Sequence, residues 1–182
     1  MELTLDYNQL GDEGVTSLAK HLCKVPQLQR LSLNQNCITA NGVEKLSTAL
    51  PDFSQLKHLN LSFNPLGDGV VALASHLSSV PQLEELELCH VDMTGAGVIA
   101  LTEAFRHMHL LTNLNLSCNE KVDNGSWGKF ADHLHYLEQL KDLVLDKCGI
   151  ANNIQEKIKS VNSDTGKPIK FILYIVQKAI IF

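Results

Sequence analysis

The 182-residue sequence contains no C-x-x-C pair, no G-x-x-x-x-G-K-[ST] loop and no G-x-S-x-G elbow. The usual signatures of a zinc site, a phosphate-binding loop and a serine hydrolase are therefore missing. Its five cysteines, Cys23, Cys37, Cys89, Cys118 and Cys148, are odd in number and scattered, which argues against a disulfide framework and points to reduced thiols in the cytoplasm. Basic residues are outnumbered, 15 Lys and Arg against 20 Asp and Glu, and the net charge of -5 argues against nucleic acid or an anionic membrane as partner. The opening Met1-Glu-Leu-Thr4 has neither the basic region nor the apolar segment of a signal peptide. Asn60-Leu-Ser62, Asn115-Leu-Ser117 and Asn124-Gly-Ser126 then read as chance matches to the glycosylation triplet. The apolar stretch toward Phe182 is broken by Lys170 and Lys178 and is shorter than the roughly 20 residues needed to span a bilayer. What is present is an ordinary balance, 45% hydrophobic and 19% charged, in a chain long enough to bury a core without disulfides or metal.

Leucine placement carries the fold. Leu-x-Leu recurs with its first leucine at Leu3, Leu31, Leu59, Leu86, Leu114 and Leu143, at intervals of 28, 28, 27, 28 and 29 residues. A near-constant period of this size marks a stacked-repeat architecture. Another leucine stands three residues upstream at Leu28, Leu56, Leu83, Leu111 and Leu140, and three residues after the second leucine come Asn8, Asn36, Asn64, Val91, Asn119 and Cys148. The pattern L-x-x-L-x-L-x-x-N/C thus runs six times along the chain.

Period-two leucines turn one face of a short strand inward, and the segment beyond the following loop has helical spacing. Its inward positions are Val15, Leu18, Ala19 and Leu22, then Val43, Leu46 and Leu50, then Val70, Leu73, Ala74 and Leu77. The frame continues through Val98, Leu101 and Phe105, and through Trp127, Phe130, Ala131 and Leu134, so Trp127 reads as core. Each unit is one strand plus one helix. The short third unit lacks a residue at Gly67-Asp-Gly69 and the long fifth gains one at Glu120-Lys-Val122, in loops, where length changes are tolerated.

On these residues the sequence resembles the leucine-rich repeats of ribonuclease inhibitor and of NOD-like receptors over nearly its whole length. The resemblance implies an α/β solenoid of horseshoe form, with a parallel β-sheet on the concave side and helices on the convex side. It also implies that the asparagine column hydrogen-bonds backbone groups of the strand-to-helix loop, a task suited to an amide that both donates and accepts. Val91 has no such group and Cys148 only a weak one, so local slack is expected after the fourth strand.

Six units are expected to occupy residues 1–162. The first strand starts within two residues of Met1 without the polar cap that solenoids normally need, so the sequence reads as a stretch of a longer repeat protein. In the sixth helix Ile154, Ile158 and Val161 keep the spacing while Lys157 stands where a leucine belongs, which resembles a cap. Ser163-Asp-Thr-Gly-Lys-Pro168 reads as a turn, and Ile169, Ile172 and Tyr174 fit the leucine frame, so residues 163–182 are expected to be a closing strand and tail.

Three other features carry little chemistry. Gly95-Ala-Gly97-Val-Ile-Ala100 has the form of a dinucleotide fingerprint, but the same slot holds Gly11-Asp-Glu-Gly14, Thr39-Ala-Asn-Gly42 and Gly67-Asp-Gly69. Glycine there serves the repeat, and no cofactor is expected. His107 and His109 disagree in repeat position with His133 and His135, while His21, His76 and His133 share one outward helix position, so surface histidines rather than metal ligands are expected. Cys37, Cys89 and Cys118 have no base beside them in a catalytic motif, and no enzyme activity is expected.

The functional signal lies on the concave columns that flank the strand leucines. They begin with Glu2, Thr4, Asp6 and Tyr7, and continue with Arg30, Ser32, Asn34 and Gln35, and with His58, Asn60, Ser62 and Phe63. Glu85, Glu87, Cys89 and His90 follow, then Asn113, Asn115, Ser117 and Cys118, then Asp142, Val144, Asp146 and Lys147. Tyr7, Arg30, Gln35, His58, Phe63, Glu85, Glu87, His90, Asp142 and Lys147 are the candidate protein-binding residues, because aromatics and arginine concentrate binding energy among polar neighbours. The resemblance implies a protein-protein interaction module, the ligand-sensing or regulatory repeats of an intracellular NOD-like-receptor-type protein. Another protein is the expected partner, with no small-molecule substrate. One alternative is a free-standing inhibitor, although the column Asn, Asn, Asn, Val, Asn, Cys lacks the regular alternation of ribonuclease inhibitor. A GTPase-activating protein resembling the Ran activator is another, although that family ends in an acidic tail and this sequence in Val176-Gln-Lys-Ala-Ile-Ile-Phe182. Actin capping of the tropomodulin type is the third.

Overall fold

A computed structural model describes residues 1–22, 24–164 and 170–172, with side chains through Val161. Each unit opens on a strand only three residues long. The elements alternate as β1 (Glu2–Thr4), α1 (Gly11–Leu22), β2 (Arg30–Ser32), α2 (Ala40–Ala49), β3 (His58–Asn60), α3 (Gly69–His76), β4 (Glu85–Glu87) and α4 (Gly95–Ala104). They continue as β5 (Asn113–Asn115), α5 (Asn124–His133), β6 (Asp142–Val144), α6 (Asn152–Asp164) and β7 (Lys170–Ile172). All seven strands form one parallel sheet in sequence order. The register sets Leu3, Leu31, Leu59, Leu86, Leu114 and Leu143 opposite one another across the sheet. The leucine-rich-repeat solenoid is thus borne out.

The core is a single stack. Leu31, Leu33, Leu59, Leu61, Leu88 and Leu116 are fully buried, as are Val43, Leu46, Val70, Leu73, Val98 and Leu101 from the helices. Burying a leucine of this kind contributes about 1.5–3 kcal/mol, and each unit obtains it by lying against the next. Trp127 is fully buried, packed edge-on against Phe130 at 5.3 Å. Gly97 has the same packing cause: a Cβ there would come within 2.8 Å of Met93 and 3.2 Å of Val70, so α4 seats on the preceding unit only as glycine.

The asparagine column acts between units. Asn64 Oδ1 accepts from Asn36 N and Ile38 N of the preceding loop at 2.9 and 3.0 Å, while its Nδ2 donates to Leu33 O, Leu61 O and Ser62 O. Asn119 does the same for Val91 N and Met93 N, donating to Leu88 O, Leu116 O and Ser117 O. Asn36 likewise serves Asn8 N and Leu10 N. This corrects the expected position of the missing support. Because each amide serves the loop before it, Val91 leaves unserved the loop after the third strand, and the loop after the fourth is fully bonded through Asn119. In the third loop Leu66 N turns back to donate to Asn64 O at 2.7 Å, and Gly67 N donates to the backbone Val91 O of the next unit at 3.0 Å in place of a side-chain amide.

At the far end Lys157 gives the last helix a polar position where the other units have an inward residue: it is exposed and pairs with Asp132, while Ile158 beside it is fully buried. Two expectations there change. Ser163 and Asp164 belong to α6 rather than to a turn. In β7 it is Phe171, not Ile172, that stands opposite Leu143. A one-residue change of register exchanges the positions that alternate between the two faces of a strand. Cys23, the 165–168 segment, Ile169, Tyr174 and the Ala179–Phe182 tail lie outside the described residues.

Candidate protein-binding face

In each unit the residue just before the asparagine column has a left-handed backbone: Tyr7 (φ 62°), Gln35 (53°), Phe63 (56°), His90 (53°), Cys118 (59°) and Lys147 (53°). None is glycine, and positive φ is disfavoured for such side chains. The cause lies in the sheet ladder. Tyr7 N donates to Asn34 O, Gln35 N to Ser62 O, Phe63 N to Cys89 O, His90 N to Ser117 O and Cys118 N to Asp146 O, all at 2.7–3.0 Å. The chain stays bonded to its neighbour up to this residue and then turns sharply, which sets a row of side chains at the strand ends. Tyr7 is 67% exposed and Phe63 48%, and Gln35, His90 and Lys147 are also exposed. Phe63 and His90 lie ring to ring at 5.4 Å.

Behind that row the columns are tied across units. Asp6 Oδ1 accepts from Ser32 Oγ at 2.6 Å and Asn34 N at 2.9 Å, and Ser62 Oγ accepts from Cys89 N at 3.1 Å. Arg30 bridges Glu2 at 3.4 Å and Glu85 at 3.9 Å, while Lys57 pairs with Glu84 at 2.7 Å. Asp142 is reached by Asn113 Nδ2 at 3.4 Å. His58 departs most from the open residue that its column position suggested. It is buried, with Nδ1 at 2.5 Å from Glu85 Oε2 and Nε2 at 3.4 Å from Glu87 Oε1. The structure therefore joins Arg30, His58, Glu85 and Glu87 in one cluster. It sets Tyr7, Gln35, Phe63, His90 and Lys147 apart from it along the left-handed row.

The thiols form a second group that the spacing of the cysteines gave no hint of. Burial and the neighbouring Cys118 thiol push the Cys89 thiol up to about 12, and burial pushes Cys148 up to about 11 although the Asn119 N–H opposes it. Repeat alignment would have revealed both groups. His58 and Glu85 hold the same place in adjacent units, and Cys89 and Cys118 hold adjoining places in the fourth and fifth. The helix histidines sit as expected, with Nδ1 of His21, His76 and His133 each against the carbonyl one turn back, of Ser17, Ala72 and Lys129.

A family model described as "Leucine Rich repeat" matches residues 1–19, 26–47 and 55–74. Human NACHT, LRR and PYD domains-containing protein 5 is 32% identical over 160 residues, 86% of this chain and 13% of that protein. Pig ribonuclease inhibitor is 35% identical over 156 residues, 82% of this chain and 33% of that protein. The chain is a leucine-rich-repeat protein of the ribonuclease-inhibitor type. Its repeats share the fold of leiomodin-1 actin-binding site 2, with a TM-score of 0.66, 19% identity, and 85% of this chain and 87% of that one covered. The leucine-rich repeats described here span a third or less of the length of the two sequence relatives. Repeats of this kind are protein-interaction modules, and among the described residues no helix is long and apolar enough to cross a membrane.

Proposed function

We propose that this chain binds another protein through its concave columns, as the ligand-sensing or regulatory repeat region of a cytoplasmic NOD-like-receptor-type protein, and that it works by binding rather than catalysis. The left-handed row carries the reading. It holds Tyr7, Gln35, Phe63, His90 and Lys147 on a rigid hydrogen-bonded support, where aromatic side chains lose little freedom when a partner covers them. The tied columns behind it, including Arg30, His58, Glu85, Glu87 and Asp142, supply the polar surround. The six strand-helix units from β1 through α6 form the binding array in this reading. The raised Cys89 and Cys148 thiols favour binding over covalent chemistry, since a protonated thiol is a poor nucleophile.

The test compares proteins retained by the immobilised chain with those retained by variants. A specific partner is expected to be lost with Tyr7→Ala/Phe63→Ala and kept with the convex Val71→Ser. Equal loss in both would remove the concave reading. The two aromatic substitutions are expected to change stability by no more than about 0.5 kcal/mol, whereas Leu61→Ala costs about 2–5 kcal/mol in urea denaturation. The similarity to ribonuclease inhibitor favours a second reading, a free-standing inhibitor. Full pancreatic ribonuclease activity in the presence of excess chain would reject it.

A further inference from the structure

His58 is the buried exception among the candidate binding residues, and each of its ring nitrogens faces a carboxylate oxygen, from Glu85 at 2.5 Å and from Glu87 at 3.4 Å. A neutral imidazole has one N–H, so only one of these contacts is a donated hydrogen bond; the other sets a lone pair against an anion. The arrangement calls for a cation, which either a doubly protonated ring or a metal ion on one ring nitrogen would supply. Neighbouring side chains supply only part of it, because Arg30 is divided between Glu2 at 3.4 Å and the same Glu85 Oε2 that faces His58, at the longer distance of 3.9 Å, and Lys57 is engaged by Glu84 at 2.7 Å.

One ring nitrogen of His58 and one oxygen from each of Glu85 and Glu87 lie within 4.8 Å of one another. The sheet fixes these positions, since His58 and Glu85 are directly opposed in register and Glu87 is two residues along the same face of β4. Both carboxylates are more than a third exposed and can turn toward a shared ion, while the imidazole is held by its burial. Imidazole with carboxylate is a donor set suited to zinc and its first-row neighbours, and placement on rigid strands is what such a site needs. We propose that His58, Glu85 and Glu87 bind a divalent transition-metal ion of the zinc class on the concave face, with its remaining coordination positions open to the concavity.

Titration of the tag-free, reduced 182-residue chain with Co²⁺, a coloured substitute for Zn²⁺, tests the site. The expected result is visible ligand-field absorption that saturates at one ion per chain, shows no thiolate charge-transfer band and is displaced by Zn²⁺. His58→Gln is expected to abolish it, and Glu87→Gln to weaken binding by about tenfold or more. The Cys89→Ser/Cys118→Ser double variant is expected to bind like the parent. Glu87 is partly exposed, so its variant tests the site even if His58→Gln fails to fold. The proposal is overturned if the parent gives no saturable absorption, or if the signal survives Glu87→Gln and disappears with the cysteines.

Discussion

The loops that follow the second and fourth strands differ from those that follow the third and fifth, and the cause lies one unit downstream. In the first pair, two loop N–H groups converge on a single amide oxygen, of Asn64 or of Asn119. The residue after the column is left-handed there, Cys37 at φ 58° and Asp92 at φ 56°. In the second pair the downstream column residue is Val91 or Cys148. Pro65 and Glu120 now stand where the left-handed residue was, and neither has positive φ. Proline cannot adopt it, because its ring fixes φ near -65°. These are also the two loops whose length departs from the common repeat. Loop length and column residue therefore behave as one coupled trait. A bridging amide accepts only a loop whose N–H groups reach it, and where the amide is absent the loop is free to lose or gain a residue.

Removing an amide from a regular loop should have the largest effect. Asn119→Ala strips the acceptor from Val91 N and Met93 N and the donor from Leu88 O, all buried, and is expected to lower stability by about 3 kcal/mol or more in urea denaturation. A loss below about 1 kcal/mol would mean that the loops hold themselves and that the coupling is an accident. Installing an amide where the loop cannot use it comes next. Val91→Asn buries a polar group facing a shortened loop whose Leu66 N is already committed, at an expected cost of about 1–3 kcal/mol. Adding Pro65→Asn and one glycine between Gly67 and Asp68 restores the common length and should recover most of that loss. If the combined variant is no better than Val91→Asn alone, loop length and column residue are independent.

The architecture was legible because it rests on period. Six leucine pairs at nearly constant spacing leave few alternatives, and the position of each length change was readable from the same alignment. The direction of support was not, since a repeat pattern shows which residue carries an amide but not whether that amide reaches forward or back. The candidate face was half legible. Column positions placed Tyr7 and Phe63 in the open, but they also placed His58 there. His58 is instead buried, with its two ring nitrogens against Glu85 and Glu87 of the next strand.

Cys148 allows the finest version of the comparison. Its Sγ receives the Asn119 N–H and donates to Leu116 O at 3.2 Å, so it does in weaker form what an asparagine does in the other units. Sulfur is a poor donor and acceptor, and the loop it serves is the one that has gained a residue. Cys148→Ala is therefore expected to cost about 1 kcal/mol, well under half the loss for Asn119→Ala, the smallest stability effect among the column substitutions. Alkylation gives an independent check. With its pKa pushed up to about 11, the buried Cys148 thiol stays protonated at mildly alkaline pH and should react with iodoacetamide far more slowly than the exposed Cys37, as read by mass spectrometry of timed digests. Equal rates at the two cysteines would mean that the fifth loop opens readily, and that a thiol is too weak a bridge to hold it.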